Sequence, residues 1–169
     1  MGIPGAGKST LAEWLRARSD KLRIVSRDTV RAAMFSPCLY STSEEEAAFE
    51  ATVSAIRVVL DQGDSAIADG MCFFEVGPLE ELRAVAAERG AALAAIYCSI
   101  SVEEAVSRVE EDRRLLRHPV THRDAALVRR IATNFRALPD DAIMIDMNGS
   151  VEDAGRAFID LLIRQGLAF

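Results

Sequence analysis

The stretch GIPGAGKST, residues 2–10, decides the fold of this chain. It fits the phosphate-loop pattern G-x-x-x-x-G-K-[ST], in which Gly2, Gly7, Lys8 and Ser9 occupy the fixed positions. Glycines allow successive backbone N–H groups to turn toward a bound oxyanion, and the loop leads into a helix whose N-terminal dipole favours phosphate. The lysine supplies positive charge to the β- and γ-phosphates, and the serine hydroxyl is a ligand for Mg²⁺. The sequence therefore predicts a nucleotide-binding protein.

The predicted nucleotide site comprises the whole loop and the start of the helix that follows it. ATP, as phosphoryl donor, and Mg²⁺ are the predicted cofactors. The predicted cofactor-binding residues are Gly2, Ile3, Pro4, Gly5, Ala6, Gly7, Lys8, Ser9 and Thr10.

Only Met1 precedes the loop, whereas a phosphate loop normally follows a buried parallel strand that delivers it to the binding crevice. Two explanations are open. Either Met1 is an internal methionine at the end of a strand that this sequence lacks, or the protein really lacks that strand and its function is compromised. We expect the first.

The composition is that of a globular protein, since 50% of the 169 residues are hydrophobic and 27% are charged. The net charge of −6 disfavours nucleic acid as a partner, although a local arginine groove could still guide a strand. Cys38, Cys72 and Cys98 are odd in number and widely spaced, which indicates a reducing compartment and neither a disulfide framework nor a zinc site. No signal peptide or membrane-spanning run is recognisable, so the predicted location is the cytoplasm.

Strand and helix patterns alternate along the chain. This alternation predicts an α/β fold of the P-loop NTPase type, a parallel sheet covered by helices on both faces, with the first, central strand absent from this chain. Strands are predicted at residues 22–26, 65–69, 92–98 and 142–146, and helices at 9–18, 28–35, 43–62, 78–89, 101–112, 124–137 and 150–164. Helix caps are predicted at the pairs Ser43–Glu46, Ser101–Glu104 and Ser150–Asp153. No linker or repeat divides the chain, so we expect a single domain over residues 1–169.

An Asp-x-x-Arg element, Asp28 to Arg31, directly follows the strand predicted at residues 22–26. Groups beyond the carboxyl ends of strands face the ligand crevice in open α/β sheets, so Asp28 should face the γ-phosphate. There it could accept the proton of an attacking hydroxyl, while Arg31 clamps the substrate or the transferring phosphate. The alternative is that Asp28 merely caps a helix and pairs with Arg31.

Asp69 ends the strand predicted at residues 65–69. A carboxylate beside a phosphate loop suits Mg²⁺, held directly or through water, so the predicted metal ligands are Ser9 and Asp69. The alternative is that Asp69 caps the turn at Gly70.

Arginines are concentrated at about residues 112–123, between two predicted helices. We expect a lid there, in which an arginine stabilises transition-state charge and closure excludes water. The alternative is a solvated basic surface.

The loop and the Asp-x-x-Arg element together resemble those of polynucleotide 5′-hydroxyl kinases and related small P-loop kinases, including zeta-toxin-like and chloramphenicol-phosphotransferase-like proteins. The resemblance is closest over residues 2–35 and is weaker through the strand at residues 65–69, the arginine-rich stretch and residues 143–150. The sheet order usual in these kinases, 2-3-1-4-5, implies that the strand before the loop is central. Its absence would leave two neighbouring strands with unpaired backbone groups.

The resemblance implies a role for each candidate residue. Lys8 and Ser9 hold triphosphate and Mg²⁺, Asp28 is the general base, and Asp69 lies near the metal or the acceptor. Arg31 is a clamp, and the lid arginine is Arg113, Arg114 or Arg117. The predicted catalytic residues are Lys8, Asp28, Arg31, Arg113 and Arg117.

The segment after Asp69 departs from the pattern of polynucleotide kinases, because it reads GMCFF at residues 70–74 where they commonly carry Asp-Thr-Asn or Asp-Ala-Thr-Asn. This apolar segment favours a small-molecule acceptor, bound by residues 35–43 and 71–76. The predicted function is therefore ATP-dependent transfer of the γ-phosphoryl group to a hydroxyl of a small molecule. The alternatives are a polynucleotide 5′-hydroxyl kinase and a nucleotide-binding regulator that hydrolyses slowly or not at all.

Overall fold

The structure, a computed structural model, describes residues 1–71, 76–115, 124–134 and 138–167. These residues form helices and strands in the alternating order that the sequence predicts. The elements are α1 (Lys8–Arg16), β1 (Leu22–Ser26), α2 (Arg27–Met34), α3 (Thr42–Asp61), β2 (Ser65–Asp69), α4 (Val76–Glu88), β3 (Ile96–Ser99), α5 (Val102–Arg114), α6 (Ala125–Asn134), β4 (Ile143–Asp146) and α7 (Val151–Arg164). Among them is no helix with the length and apolar character needed to cross a membrane.

The chain divides into two compact units. The first unit comprises Met1–Leu11 and Ala94–Phe169, and the second comprises Ala12–Leu93. Each unit contains one parallel pair of strands, β3 with β4 in the first and β1 with β2 in the second. Parallel pairing confirms the predicted α/β class, whereas the expectation of a single domain over the whole chain stays a prediction.

In the second unit, β1 and β2 have the predicted bounds and pair in register from Leu22 with Ser65 to Ser26 with Asp69. Because the strands are parallel, both end at the same edge. The core beneath them joins β1 to α3 and α4, and apolar side chains of this kind supply most of the driving force for folding. Its buried members are Val25, Val53, Ile56, Leu82 and Val85.

In the first unit, β3 and β4 are shorter than predicted. Their pairing starts at Ile96 with Ile143, and the Ile143 N–H donates to the Ala95 carbonyl at 2.8 Å. Just before β4 the chain turns, with the Ala142 N–H donating to the Pro139 carbonyl at 3.0 Å. Met1 also bonds to β3: its amine donates to the Ile96 carbonyl, and the Cys98 N–H donates to the Met1 carbonyl at 2.9 Å. This is the pattern of a residue opposite Tyr97 in a parallel ladder, so the phosphate loop leaves from beside β3.

Two of the three predicted helix caps are confirmed. The Ser101 hydroxyl accepts the Glu104 N–H at 3.2 Å at the start of α5, and the Ser150 hydroxyl accepts the Asp153 N–H at 3.1 Å at the start of α7. Each bond satisfies one of the backbone donors that the first turn of a helix leaves unpaired.

The predicted cap of α3 is wrong. The helix begins two residues earlier than expected, with Ser41 as the cap, whose hydroxyl accepts the Glu44 N–H at 3.3 Å. The predicted pair, Ser43 and Glu46, lies inside the helix. The earlier start follows from Glu44, whose carboxylate accepts N–H groups ahead of the helix.

Replacing Val53 with alanine should destabilise the second unit. Val53 is fully buried in the core, so losing two methyl groups and leaving a cavity should lower the free energy of unfolding by about 2 kcal/mol, as measured by urea denaturation. Val58→Ala is the matched control on the same helix, because Val58 is 56% exposed and should change stability by less than about 0.5 kcal/mol. Equal effects of the two changes would contradict the placement of this core.

Candidate functional site

The phosphate loop is built around glycines in conformations that other residues rarely adopt. Gly5 has φ +83° and Gly7 has φ +76°. A Cβ atom at Gly5 would overlap the backbone oxygen of Ala105, and one at Gly7 would lie 3.0 Å from the Met147 methyl group. The loop can therefore take this path only without side chains at these two positions, which agrees with the glycines of the phosphate-loop pattern.

Lys8 is folded back over the loop that precedes it. Its ammonium group donates to the carbonyl oxygens of Gly2 at 2.8 Å and Ile3 at 2.9 Å. The positive charge thus lies at the start of the loop, where it can attract a phosphate. Ser9 and Thr10 are exposed in the first turn of α1.

Arg108 on α5 is a residue of this region that the sequence analysis missed. Its Nε donates to Glu104 at 2.9 Å and its Nη2 donates to the Met147 carbonyl at 3.0 Å. Its Nη1 lies 3.7 Å from the position that a Cβ atom of Gly7 would occupy. A cation is therefore fixed beside the last glycine of the loop. The spacing of Glu104 and Arg108, one helical turn apart, was the available signal.

The turn after β4 adjoins the same region. The backbone N–H and the side-chain amide of Asn148 donate to Asp146 at 2.9 and 2.6 Å, and the Ser101 N–H donates to the Asn148 side chain at 3.2 Å. The backbone hydrogen bond, and then the side-chain one, lower the pKa of Asp146. These bonds tie the turn to the start of α5.

In the second unit, Asp28 lies just beyond the end of β1 and does not cap α2. The cap is Ser26, whose hydroxyl accepts the Thr29 N–H at 3.4 Å, so the part of the alternative that made Asp28 the cap is wrong. Its other part, an ion pair of Asp28 with Arg31, is present at 3.9 Å. The Asp28 carboxyl is 48% exposed. A Cβ atom at Gly70 would lie 3.3 Å from that carboxyl, which places Asp28 against the residue that follows β2. The carboxylate is therefore held at the carboxyl edge of the sheet with its oxygens accessible.

Arg31 is buried, with only 4% of its surface exposed. Its Nη2 lies 3.9 Å from Asp28 Oδ1, too far for a hydrogen bond, and its Cζ lies 5.2 Å from the ring centre of Tyr40. Within the described residues, neither Nε nor Nη2 has a hydrogen-bond acceptor. A buried guanidinium with unsatisfied donors is costly, so this group suits an anionic ligand.

The two predicted metal ligands offer oxygen donors, which fit Mg²⁺. Ser9 carries a hydroxyl and Asp69 a carboxylate. The two residues belong to different units, so a metal site that they share stays a prediction. Asp69 is the last residue of β2, opposite Ser26 in the register.

The predicted lid lies only partly within the described residues. Asp112, Arg113 and Arg114 belong to the last turn of α5, not to a connection between helices as expected. Arg113 is 59% exposed and lies 3.8 Å from Glu110. Arg117 and the remainder of residues 116–123 lie outside the described residues, as do residues 72–75 of the predicted acceptor pocket. The lid and the acceptor role of residues 72–75 stay predictions.

The glycine loop with its lysine, the parallel strands and the Asp-x-x-Arg element define a small protein with the fold of the P-loop kinases. The chain matches the family AAA_33, described as an AAA domain, over residues 1–138, and it belongs to that family. A search of curated proteins gave no match.

Solved structures of kinases share this fold. A gluconokinase from Sinorhizobium meliloti 1021 is 14% identical with a TM-score of 0.69, over 98% of this chain and 90% of that one. The Mycobacterium tuberculosis APS kinase CysC, in complex with AMPPNP and APS, is 14% identical with a TM-score of 0.69, over 96% and 94% of the two chains. A chain of the Pnkp1/Rnl/Hen1 RNA repair complex is 23% identical with a TM-score of 0.66, over 80% of this chain and 42% of that one. The predicted fold and the resemblance to small P-loop kinases are confirmed.

Replacing Gly5 with alanine should weaken nucleotide binding. The new Cβ atom would overlap the backbone of α5 at a positive φ, so we expect a stability loss of about 1–3 kcal/mol and reduced affinity for Mg²⁺-ATP in calorimetry. Gly63→Ala is the matched control, since Gly63 has φ +77° but nothing lies within 4 Å of its would-be Cβ. The control should lose stability through backbone strain alone and retain the parent affinity. Unchanged ATP binding in Gly5→Ala would contradict the role of the loop.

Proposed function

We propose that this protein is an ATP-dependent phosphotransferase that moves the γ-phosphoryl group to a hydroxyl of a small-molecule acceptor. The observation that carries this proposal is the pairing of an exposed carboxylate, Asp28, with a buried guanidinium, Arg31, at the carboxyl edge of the second unit's sheet. Phosphate binding alone would need neither group. Together they suit the recognition and deprotonation of an acceptor.

The phosphoryl donor, ATP, binds at the phosphate loop. Backbone N–H groups of the loop and of the first turn of α1 cradle the phosphates, and Lys8 turns its ammonium from the carbonyls of Gly2 and Ile3 to the phosphate oxygens. Ser9 and Asp69 would hold Mg²⁺. When bound, Mg²⁺ neutralises charge on the β- and γ-phosphates. Arg108, beside Gly7, adds a further positive charge to this region.

The acceptor is bound and deprotonated by Asp28 and Arg31. As the acceptor oxygen bonds to the γ-phosphorus and the bond to the β-phosphate oxygen breaks, Asp28 takes the hydroxyl proton and ADP leaves. The carboxylate suits this task because it caps no helix and is accessible. The free N–H groups of Arg31 hold an anionic group, on the acceptor or on the phosphoryl group in transfer.

An oligonucleotide with a 5′-hydroxyl end is the second candidate acceptor, because the unsatisfied donors of Arg31 would equally suit a backbone phosphate. The net charge of −6 weighs against it. The test is incubation with labelled ATP and a panel of hydroxy acids, sugars, nucleosides and a 5′-hydroxyl oligonucleotide, with products identified by mass spectrometry. ATP binding without any phosphorylated product would favour the regulator instead.

Replacing Asp28 with asparagine should abolish transfer and spare nucleotide binding. Loss of a general base lowers the transfer rate by about 10²–10⁴-fold, measured as labelled product, while the affinity for Mg²⁺-ATP stays at the parent value. Asp20→Asn is the control for the same chemical change at an exposed carboxylate, and it should react at the parent rate. Lys8→Ala should weaken both binding and transfer. Transfer at the parent rate by Asp28→Asn would show that another group accepts the proton.

A further inference from the structure

Glu44 is a buried carboxylate that fixes the backbone just ahead of its own helix. Only 8% of its surface is exposed, and it accepts the Leu39 N–H at 2.9 Å and the Tyr40 N–H at 2.7 Å. The capping bond itself comes from the Ser41 hydroxyl, which accepts the Glu44 N–H, so the Glu44 side chain is available to bond farther back along the chain. The two charge-assisted bonds determine the course of residues 39–40.

Tyr40 is held in a conformation that its side chain disfavours. Its φ is +55°, in the left-handed region, and it is the one residue other than glycine with a positive φ in the described part of the chain. A strained conformation of this kind persists only where surrounding contacts hold the backbone in place, and such conformations are frequent at functional sites. The bond from the Tyr40 N–H to Glu44 supplies that constraint.

The left-handed backbone at Tyr40 determines where its ring lies. The ring centre lies 5.2 Å from the Arg31 guanidinium carbon, within the range of a cation–π contact. Partial burial, followed by the nearby Cys38, raises the pKa of Tyr40, and Asp28 and Glu44 act in the same direction against the opposing effect of Arg31. The uncharged ring therefore lies beside the guanidinium whose Nε and Nη2 have no acceptor in the part of the chain that the structure describes.

Exposed apolar side chains lie in the same part of the chain as Tyr40. Leu39, the residue before it, is 76% exposed, and Met34, at the end of α2, is also exposed. The carboxylates of Asp28 and Glu44 act on the ring as well. An anion alone would gain nothing from the apolar side chains. A ligand that carries an anionic group next to a planar or apolar group would satisfy Arg31 and cover the ring together.

We propose that Tyr40 is a specificity-determining residue of the acceptor site and that Glu44 is its positioning residue, so that the acceptor presents an anionic group to Arg31 and a planar or apolar group to Tyr40. This inference rests on the proposed function, and it narrows the acceptor to hydroxyl compounds of mixed anionic and aromatic or apolar character. Sugars without an anionic group are poor acceptors on this basis.

The test compares phenyl phosphate with inorganic phosphate and needs no catalysis. Cys38 reports on the site, because its sulfur lies 3.7 Å from the Arg31 carbonyl oxygen and it lies two residues from Tyr40. Each probe is titrated against the rate of Cys38 alkylation by iodoacetamide, with the modified peptide identified by mass spectrometry. In the parent protein, phenyl phosphate should protect at about fivefold lower concentration than phosphate, the factor expected for one aromatic contact.

The variants distinguish the role of the Tyr40 ring from that of the Glu44 carboxylate that positions it. Tyr40→Ala and Glu44→Ala should both lose the preference for phenyl phosphate, whereas Tyr40→Phe, which keeps the ring, should retain it. Arg31→Gln should lose protection by both probes. Glu45→Gln is the matched control for Glu44, since Glu45 is an exposed carboxylate in the same helical turn. If Glu44→Ala does not fold, Glu44→Gln, which keeps one acceptor oxygen, should show a reduced preference.

Equal protection by the two probes in the parent, or an undiminished preference in Tyr40→Ala, would overturn the role of Tyr40. A preference retained in Glu44→Ala and Glu44→Gln would overturn the role of Glu44. Failure of the proposed function has a different signature, which is intact preference for phenyl phosphate with no phosphorylated product from any acceptor. Where a product is found, Tyr40→Ala should raise the KM for the acceptor about fivefold and leave the KM for ATP unchanged.

Discussion

The parallel pairing of β1 with β2 is the constraint on which the candidate acceptor site depends. Its register sets Ser26 opposite Asp69, so both strands end together and the residues that follow them meet at one edge. The close approach of Gly70 to the Asp28 carboxyl is a direct result. A slip of one residue would turn every side chain of a strand to the other face and would also break the core formed by Val25 with α3 and α4. The same pairing therefore stabilises the unit and aligns the two carboxylates, Asp28 and Asp69, that we propose as functional groups.

Burial of Arg31 at this edge lowers the stability of the fold, although the proposed function needs its charge. A guanidinium that is buried without full hydrogen bonding destabilises the fold, and an apolar residue of similar volume would pack there at lower cost. The nearby Asp28 compensates only in part, since 3.9 Å is a long ion pair and the carboxyl is half exposed. The Tyr40 ring adds a weak attraction. A bound anion would accept the hydrogen bonds that Arg31 does not make within the described residues. This is the physical reason to propose Arg31 as a ligand-binding group.

Features set by local chemistry could be predicted from the sequence. The phosphate loop, the bounds of β1 and β2, and the caps Ser101 and Ser150 depend on residues a few positions apart, so pattern and residue type were enough. Features set by tertiary contacts could not. The lengths of β3 and β4 depend on which residues find a partner across the sheet, and the position of Arg108 beside Gly7 depends on how α5 and the turn after β4 pack around the loop.

The start of α3 is the most informative of the wrong predictions. Ser41 and Ser43 are chemically equivalent caps, and each has a glutamate three residues later, Glu44 and Glu46. Local rules cannot choose between them. The choice falls on Ser41 because the Leu39 and Tyr40 N–H groups donate to the buried Glu44 carboxylate, and hydrogen bonds are stronger where they are shielded from water. That choice also imposes the left-handed conformation of Tyr40 and brings its ring to Arg31. One buried carboxylate therefore decides where the helix begins and what lies beside the guanidinium.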